Sequence, residues 1–189
     1  RRQRQMCIRD RDGERTGDVS AQSADHAVTI DPIGAEEIEI ARGPAALAYG
    51  ANAIGGVINV VRNQIPTSIP SSVTGSFSLL GKTVNDEASA AVDASIPLGM
   101  WAMNLDVNGR TSSDFTTPNG TVENSSILNT HNTGGLSYIG KKGYVGGSGS
   151  YFYSEYGIPP DPVGGHPSGV DIEMRKMQFD LRGEYTLNS

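Results

Sequence analysis

IARGPAALAYGANAIGGVINVV, Ile40 to Val61, is the run on which the reading of this chain turns, because incompatible architectures compete for it. A transmembrane helix needs about 20 largely apolar residues. Here Gly50, Asn52, Gly55, Gly56 and Asn59 interrupt the stretch that follows Pro44. A P-loop needs G-x-x-x-x-G-K-[ST], so that a lysine reaches the phosphates and a hydroxyl reaches Mg²⁺. Gly55-Gly56 runs instead into Val57 and Ile58, so that chemistry is absent. What the residues do fit is a short helix opened by Arg42-Gly43-Pro44, with proline at a first helical position, carried by AALAY and stopped after Tyr49 by Gly50. Gly55-Gly56 then releases the chain into VINVV, a β-branched strand containing Asn59.

The rest of the chain has a different texture. Of 189 residues, 37% are apolar and 6% aromatic, with 24 glycines, a composition of turns and small-residue strands rather than of a large soluble core. Residues 1–11, RRQRQMCIRDR, hold five arginines and one aspartate. The remaining residues carry ten basic and twenty acidic side chains. An acidic body argues against nucleic acid as a partner, since a phosphate-binding surface is basic over the domain that binds. The leader lacks the apolar core and small-residue cleavage site of a signal peptide. It is set aside as a sequencing artefact or disordered arm, outside the fold. The sole cysteine, Cys7, lies within it, which leaves no disulfide, thiolate zinc site or cysteine nucleophile in the body. No G-x-S-x-G elbow occurs, and the acidic pair Glu36-Glu37 has no spaced carboxylate partner for acid–base work, so nothing points to an enzyme.

From residue 72 onward alternation takes over. Trp101, Met103, Leu105 and Val107 point one way while Ala102, Asn104, Asp106 and Asn108 point the other. Similar runs occupy 73–79 and 88–96, and less cleanly 128–139, 144–155 and 171–187. Segments of about ten residues with one apolar and one polar face suit transmembrane β-strands and soluble sandwiches alike. The connections discriminate. Leu98-Gly99-Met100 and Gly140 to Gly143 are tight, 112–126 and 156–170 are long, and the one near TVNDE is intermediate. Short turns at one end and long loops at the other are the habit of outer-membrane barrels. Trp101 and Tyr144, each beside a tight turn, are candidate interfacial anchors.

The run DHAVTIDPIGAEEIEIARGPAALAYGANAIGGVINVV resembles the end of the plug domain of TonB-dependent outer-membrane receptors. The joint signal is the RGP helix start, the tyrosine-glycine end, AIGGVIN and the glycine-rich alternating strands after it. That resemblance implies a mainly β fold: a plug with α/β character inside a transmembrane barrel of about 22 strands. On this reading residues 12–65 are the C-terminal part of the plug, 66–71 a linker and 72–189 the first six or so strands of the wall. It implies import of a scarce nutrient across a bacterial outer membrane, with outer-membrane lipid and the TonB energy-coupling protein as partners. The region that contacts TonB would lie outside this stretch. Arg42 matches a family arginine that pairs with glutamates of the wall, and Gly43, Pro44, Tyr49, Gly50, Gly55, Gly56 and Asn59 make up the plug motif.

The flanks YGIPP and VDIEMRKMQFDLRGEY further resemble the zinc-uptake-type branch, whose members carry a histidine- and acid-rich insertion there. In this chain the insertion shrinks to His166 and Asp161 in the loop YGIPPDPVGGHPSGV. Those two are the candidate metal ligands, since imidazole and carboxylate suit borderline metals. The implied cargo is zinc, an iron siderophore or another metal chelate, and no resident cofactor is implied. His131, within a strand, reads as structural. Two other classes stay open on residues alone: a ligand-sensing outer-membrane signalling receptor, and a soluble β-rich adhesin or enzyme domain.

Overall fold

The computed structural model describes residues 7–11, 14–15, 35, 37–42, 56–161 and 166–187, with backbone alone for 7–11, 14–15 and 56. The expected helix from Pro44 to Gly50, and with it Gly43, Pro44, Tyr49, Gly50 and Gly55, lies outside the described residues. The chain divides into two compact units, 1–63 and 64–189.

In the first unit four short strands form one mixed sheet, ordered β2-β1-β4-β3: β1 (Cys7–Arg11), β2 (Glu14–Arg15), β3 (Glu37–Ala41) and β4 (Gly56–Val61). VINVV is the expected strand, and EIEIA pairs with it antiparallel, Ile40 opposite Ile58 and Glu39 opposite Asn59. Val57 and Val60 are buried. Asn59 is buried too, and its Nδ2 donates to Glu39 Oε2 at 2.8 Å, so the polar residue in the middle of an apolar strand is satisfied by its cross-strand neighbour. Arg42 follows β3 directly and is exposed.

One expectation is corrected here. Residues 7–11, set aside as a disordered arm or artefact, form β1, parallel to β4 with Cys7 opposite Gly56 and Arg11 opposite Val60. Strand pairing is made by backbone groups, and β4 has a second edge that β3 does not use. Charge counting along 1–11 is blind to that.

The second unit is a six-stranded sheet in the order β12-β11-β10-β7-β6-β5, antiparallel throughout. Its strands are β5 (Thr74–Lys82), β6 (Glu87–Leu98), β7 (Trp101–Ser112), β10 (Ile127–Gly140), β11 (Gly143–Ile158) and β12 (Val170–Tyr185). A small hairpin, β8 (Phe115–Thr117) with β9 (Gly120–Val122), sits in the long loop before β10. The tight connections are two-residue turns. Leu98 faces Trp101 around Gly99-Met100, where Gly99 has φ of 70°, a conformation that glycine adopts without strain. Gly140 faces Gly143 around Lys141-Lys142. The connections at the opposite end are all longer, so the predicted asymmetry holds.

The register sorts the side chains cleanly. Phe77, Val92, Val107, Asn132, Tyr151 and Met177 are successive partners across all six strands, and all belong to one face. One rung along the other face, Asp93, Asp106, Thr133, Ser150 and Gln178 follow one another. On β12 the apolar set is laid bare: Met177, Phe179 and Leu181 are 70%, 82% and 91% exposed. A soluble sheet buries its apolar face. This one turns it outward and buries its serines instead, including Ser137, Ser150 and Ser154.

Candidate functional site

Two features built by this sheet carry functional weight: its polar face and the cluster of long loops at one end. On the polar face the Glu87 side chain is nearly buried, with its Oε1 2.7 Å from Lys82 Nζ and 3.8 Å from Arg110 Nε. A carboxylate withdrawn from water is tolerated only with such partners. Nearer the middle, Asn108 Nδ2 donates to Asp106 Oδ1 at 3.0 Å. His131 Nδ1 lies 3.7 Å from the same oxygen. The His131 ring is 1% exposed and tilted against Phe152 at 6.3 Å.

The segment leaving the first unit rests on this polar face. A Cβ placed on Gly135 would come within 1.9 Å of the Gln64 carbonyl oxygen, and one on Gly146 within 2.9 Å of Ile65 Cγ2. Gln64 Nε2 also reaches Thr133 Oγ1 at 3.5 Å, a long contact that orients more than it stabilises. Two glycines on adjacent strands thus form a seat for residues 64–65.

At the long-loop end the loops are tied to one another. The Ser113 amide donates to the Asn85 carbonyl at 2.8 Å. Asp114 accepts from the amides of Asn124 and Ser125 at 3.2 and 2.7 Å. Asn124 Nδ2 then crosses to the other long loop, donating to the carbonyls of Ile158 and Val170 at 3.1 and 3.2 Å. Asn124 has φ of 55°, a left-handed conformation that asparagine tolerates better than most residues. Replacing Asn124 by Ala should remove both cross-loop bonds, at about 1 kcal/mol each. Hydrogen exchange across 113–126 should speed up while β7 and β10 keep their protection; an unchanged loop would show that the latch lies elsewhere.

The candidate metal ligands sit in this cluster. Asp161 and His166 are brought together as an isolated antiparallel bridge, the Asp161 amide donating to the His166 carbonyl at 2.9 Å. The Gly169 amide donates to the same carbonyl at 3.1 Å. Among the described residues no group of three or more His, Cys, Asp or Glu is positioned to hold a metal ion. Arg42 and the described part of the plug motif belong to the first unit. Sequence reasoning missed Asn124, Gln64 and the Glu87 cluster. The only available hint was glycine at Gly135 and Gly146, which a glycine-rich strand hides.

Of the expected aromatic anchors, Trp101 lies on the apolar face beside the Gly99-Met100 turn. Its ring meets Tyr138 edge-on at 5.3 Å. Tyr144 is a direct partner of Ile139 and is one residue out of phase with Val145, so the period of two puts it on the opposite face.

Residues 11–57 match the family model described as TonB-dependent Receptor Plug Domain. That stretch of the chain is similar to the plug of TonB-dependent receptors. Solved structures show the same fold over nearly all of it. A variant of the ferric enterobactin receptor PfeA from Pseudomonas aeruginosa superposes with a TM-score of 0.70 at 14% identity, over 95% of this chain and 30% of that one. The siderophore receptor PirA from Pseudomonas aeruginosa gives 0.65 at 18%, over 96% and 30%. The copper transporter OprC gives 0.60 at 12%, over 97% and 36%. The chain therefore spans about a third of the length of the receptors it resembles. No described helix is long and apolar enough to cross a membrane, which is neutral for a protein that would cross with strands.

Proposed function

We propose that this chain supplies plug and wall to an outer-membrane importer that takes up a chelated metal, driven by the TonB energy-coupling protein. The observation that carries the reading is the pairing of a plug-family segment with a sheet whose apolar side chains face outward and whose polar side chains are buried. Such a sheet suits lipid on one side and a plugged lumen on the other. The sheet has two open edges, β5 and β12, and closes a barrel only when both acquire neighbouring strands.

A chelate fits the loops better than a bare zinc ion. Asp161 and His166 offer two donors where a tetrahedral zinc site needs about four. A siderophore or similar chelator brings its own donor set and asks the receptor for shape and hydrogen bonds. The named cargoes of the structural neighbours, ferric enterobactin and copper, support a metal-linked cargo without choosing among them. Arg42 is proposed to hold plug to wall by pairing with carboxylates of the barrel, a role that suits a guanidinium held away from bulk water.

The test is uptake by cells that carry the complete receptor gene as their sole route for the chelate. Radiolabelled ferric siderophore should accumulate only when the coupling protein is present, and Arg42→Ala should lower that uptake while surface binding of the chelate persists. Uptake that ignores the coupling protein, or uptake of free zinc that drops on His166→Ala, would overturn the reading.

A further inference from the structure

The apolar face is not a uniform belt. Beside the Lys141-Lys142 turn it opens into a groove of about 670 Å³, walled by Tyr138, Val145 and Tyr185. Its floor is the backbone at Gly183, which the register sets directly opposite Val145. A second apolar groove of about 400 Å³ lies further along the same strands, between Leu105 and Leu136 on one side and Phe179 and Leu181 on the other. The register puts Gly134 opposite Gly149 and Leu136 opposite Gly147, so missing side chains make this hollow too. Both lysines at the mouth of the first groove are exposed, and neither ammonium has an ion pair among the described residues.

We propose that these two grooves are one lipid site, occupied by an anionic phospholipid of the leaflet that meets the tight turns. The acyl chain would fill the hollow lined by Leu136 and Phe179. The glycerol region would lie between Tyr138 and Tyr185, and the phosphate would meet Lys141 and Lys142. Three observations select this occupant. The hollows are lined mostly by apolar residues, the open end carries Lys141 and Lys142 against the single acid Glu184, and that end lies beside the aromatic pair Trp101 and Tyr138. A protein partner would have to reach hydrophobic depth to use the second hollow, and a zwitterionic lipid brings its own cation beside the phosphate and so offers the lysine pair no net negative charge.

The proposal rests on the apolar face meeting lipid, and its test separates the two. The complete receptor would be purified in mild detergent, mixed with phosphatidylglycerol or phosphatidylcholine of matched chains, and examined by native mass spectrometry. Phosphatidylglycerol should be retained preferentially, and each Lys→Gln change at Lys141 or Lys142 should lower its retention about fivefold. Gly183→Leu should displace both lipids by filling the floor. Equal retention of the two lipids, or retention indifferent to the lysines, would overturn the lipid site. Fractionation of the same receptor away from the outer membrane would instead overturn the underlying reading of the face. Circular dichroism of each variant confirms that the sheet is intact.

Discussion

Leu105→Arg is expected to destabilise the membrane-inserted receptor by about 2–4 kcal/mol, the cost of a cation at mid-depth on the lipid side of a barrel. Leu105 is four residues beyond Trp101 on β7, and its side chain belongs to the apolar face, between its partners Ala94 and Gly134. A guanidinium there must either lose its water or drag water into the hydrocarbon. The matched control is Ser95→Lys, on the polar face of β6 opposite Asn104. There the new charge meets the lumen, and the expected change is within about 1 kcal/mol. Denaturant titration in phospholipid vesicles compares them. A sheet whose apolar face met water rather than lipid would tolerate Leu105→Arg as well as the control does, so equal effects would remove the membrane reading.

Gly135→Val is expected to be the most damaging change on the polar face. A Cβ at this position would approach the Gln64 carbonyl oxygen to 1.9 Å and its carbon to 2.9 Å. Both are backbone atoms, so no side chain can swing aside. Either residues 64–65 leave their seat or β10 bends, at about 1–3 kcal/mol or more for such overpacking. The neighbouring glycine provides the contrast. Gly134 lies on the apolar face, where an added Cβ meets only Leu105 Cδ2 at 3.6 Å, an ordinary contact. Gly134→Ala should therefore be close to neutral. Limited proteolysis within 64–72 should rise in Gly135→Val and stay unchanged in Gly134→Ala. Equal protection in both would mean that the seat is not needed to hold the linker.

How much of this was legible beforehand follows from which interactions are local. The strand pattern was readable because side chains alternate with a period of two, and Trp101 to Val107 carry that period without a fault. The long and short connections were readable from Gly, Pro, Asn and Ser clusters. The sheet of Glu37–Ala41 on Gly56–Val61 was foreshadowed by their β-branched residues. By contrast, the strand at Cys7–Arg11 depends on a backbone edge offered by residues about fifty positions later, and composition pointed away from it. Tyr144 was misplaced by a single residue, because the phase of β11 is set by its pairing with β10 and not by proximity to a turn.

By itself, then, the sequence determined the strand pattern of this protein: alternating strands joined asymmetrically, which the register supports, after a segment that matches a plug family. Those properties are written in neighbouring residues and survive without any long-range contact. Only the tertiary structure decided which glycines seat residues 64–65, that Asn124 ties two loops 34 and 46 residues away, and that a hollow on the apolar face opens beside the lysine turn. Each of these depends on cross-strand register, and a register is a relation between segments that no one segment contains.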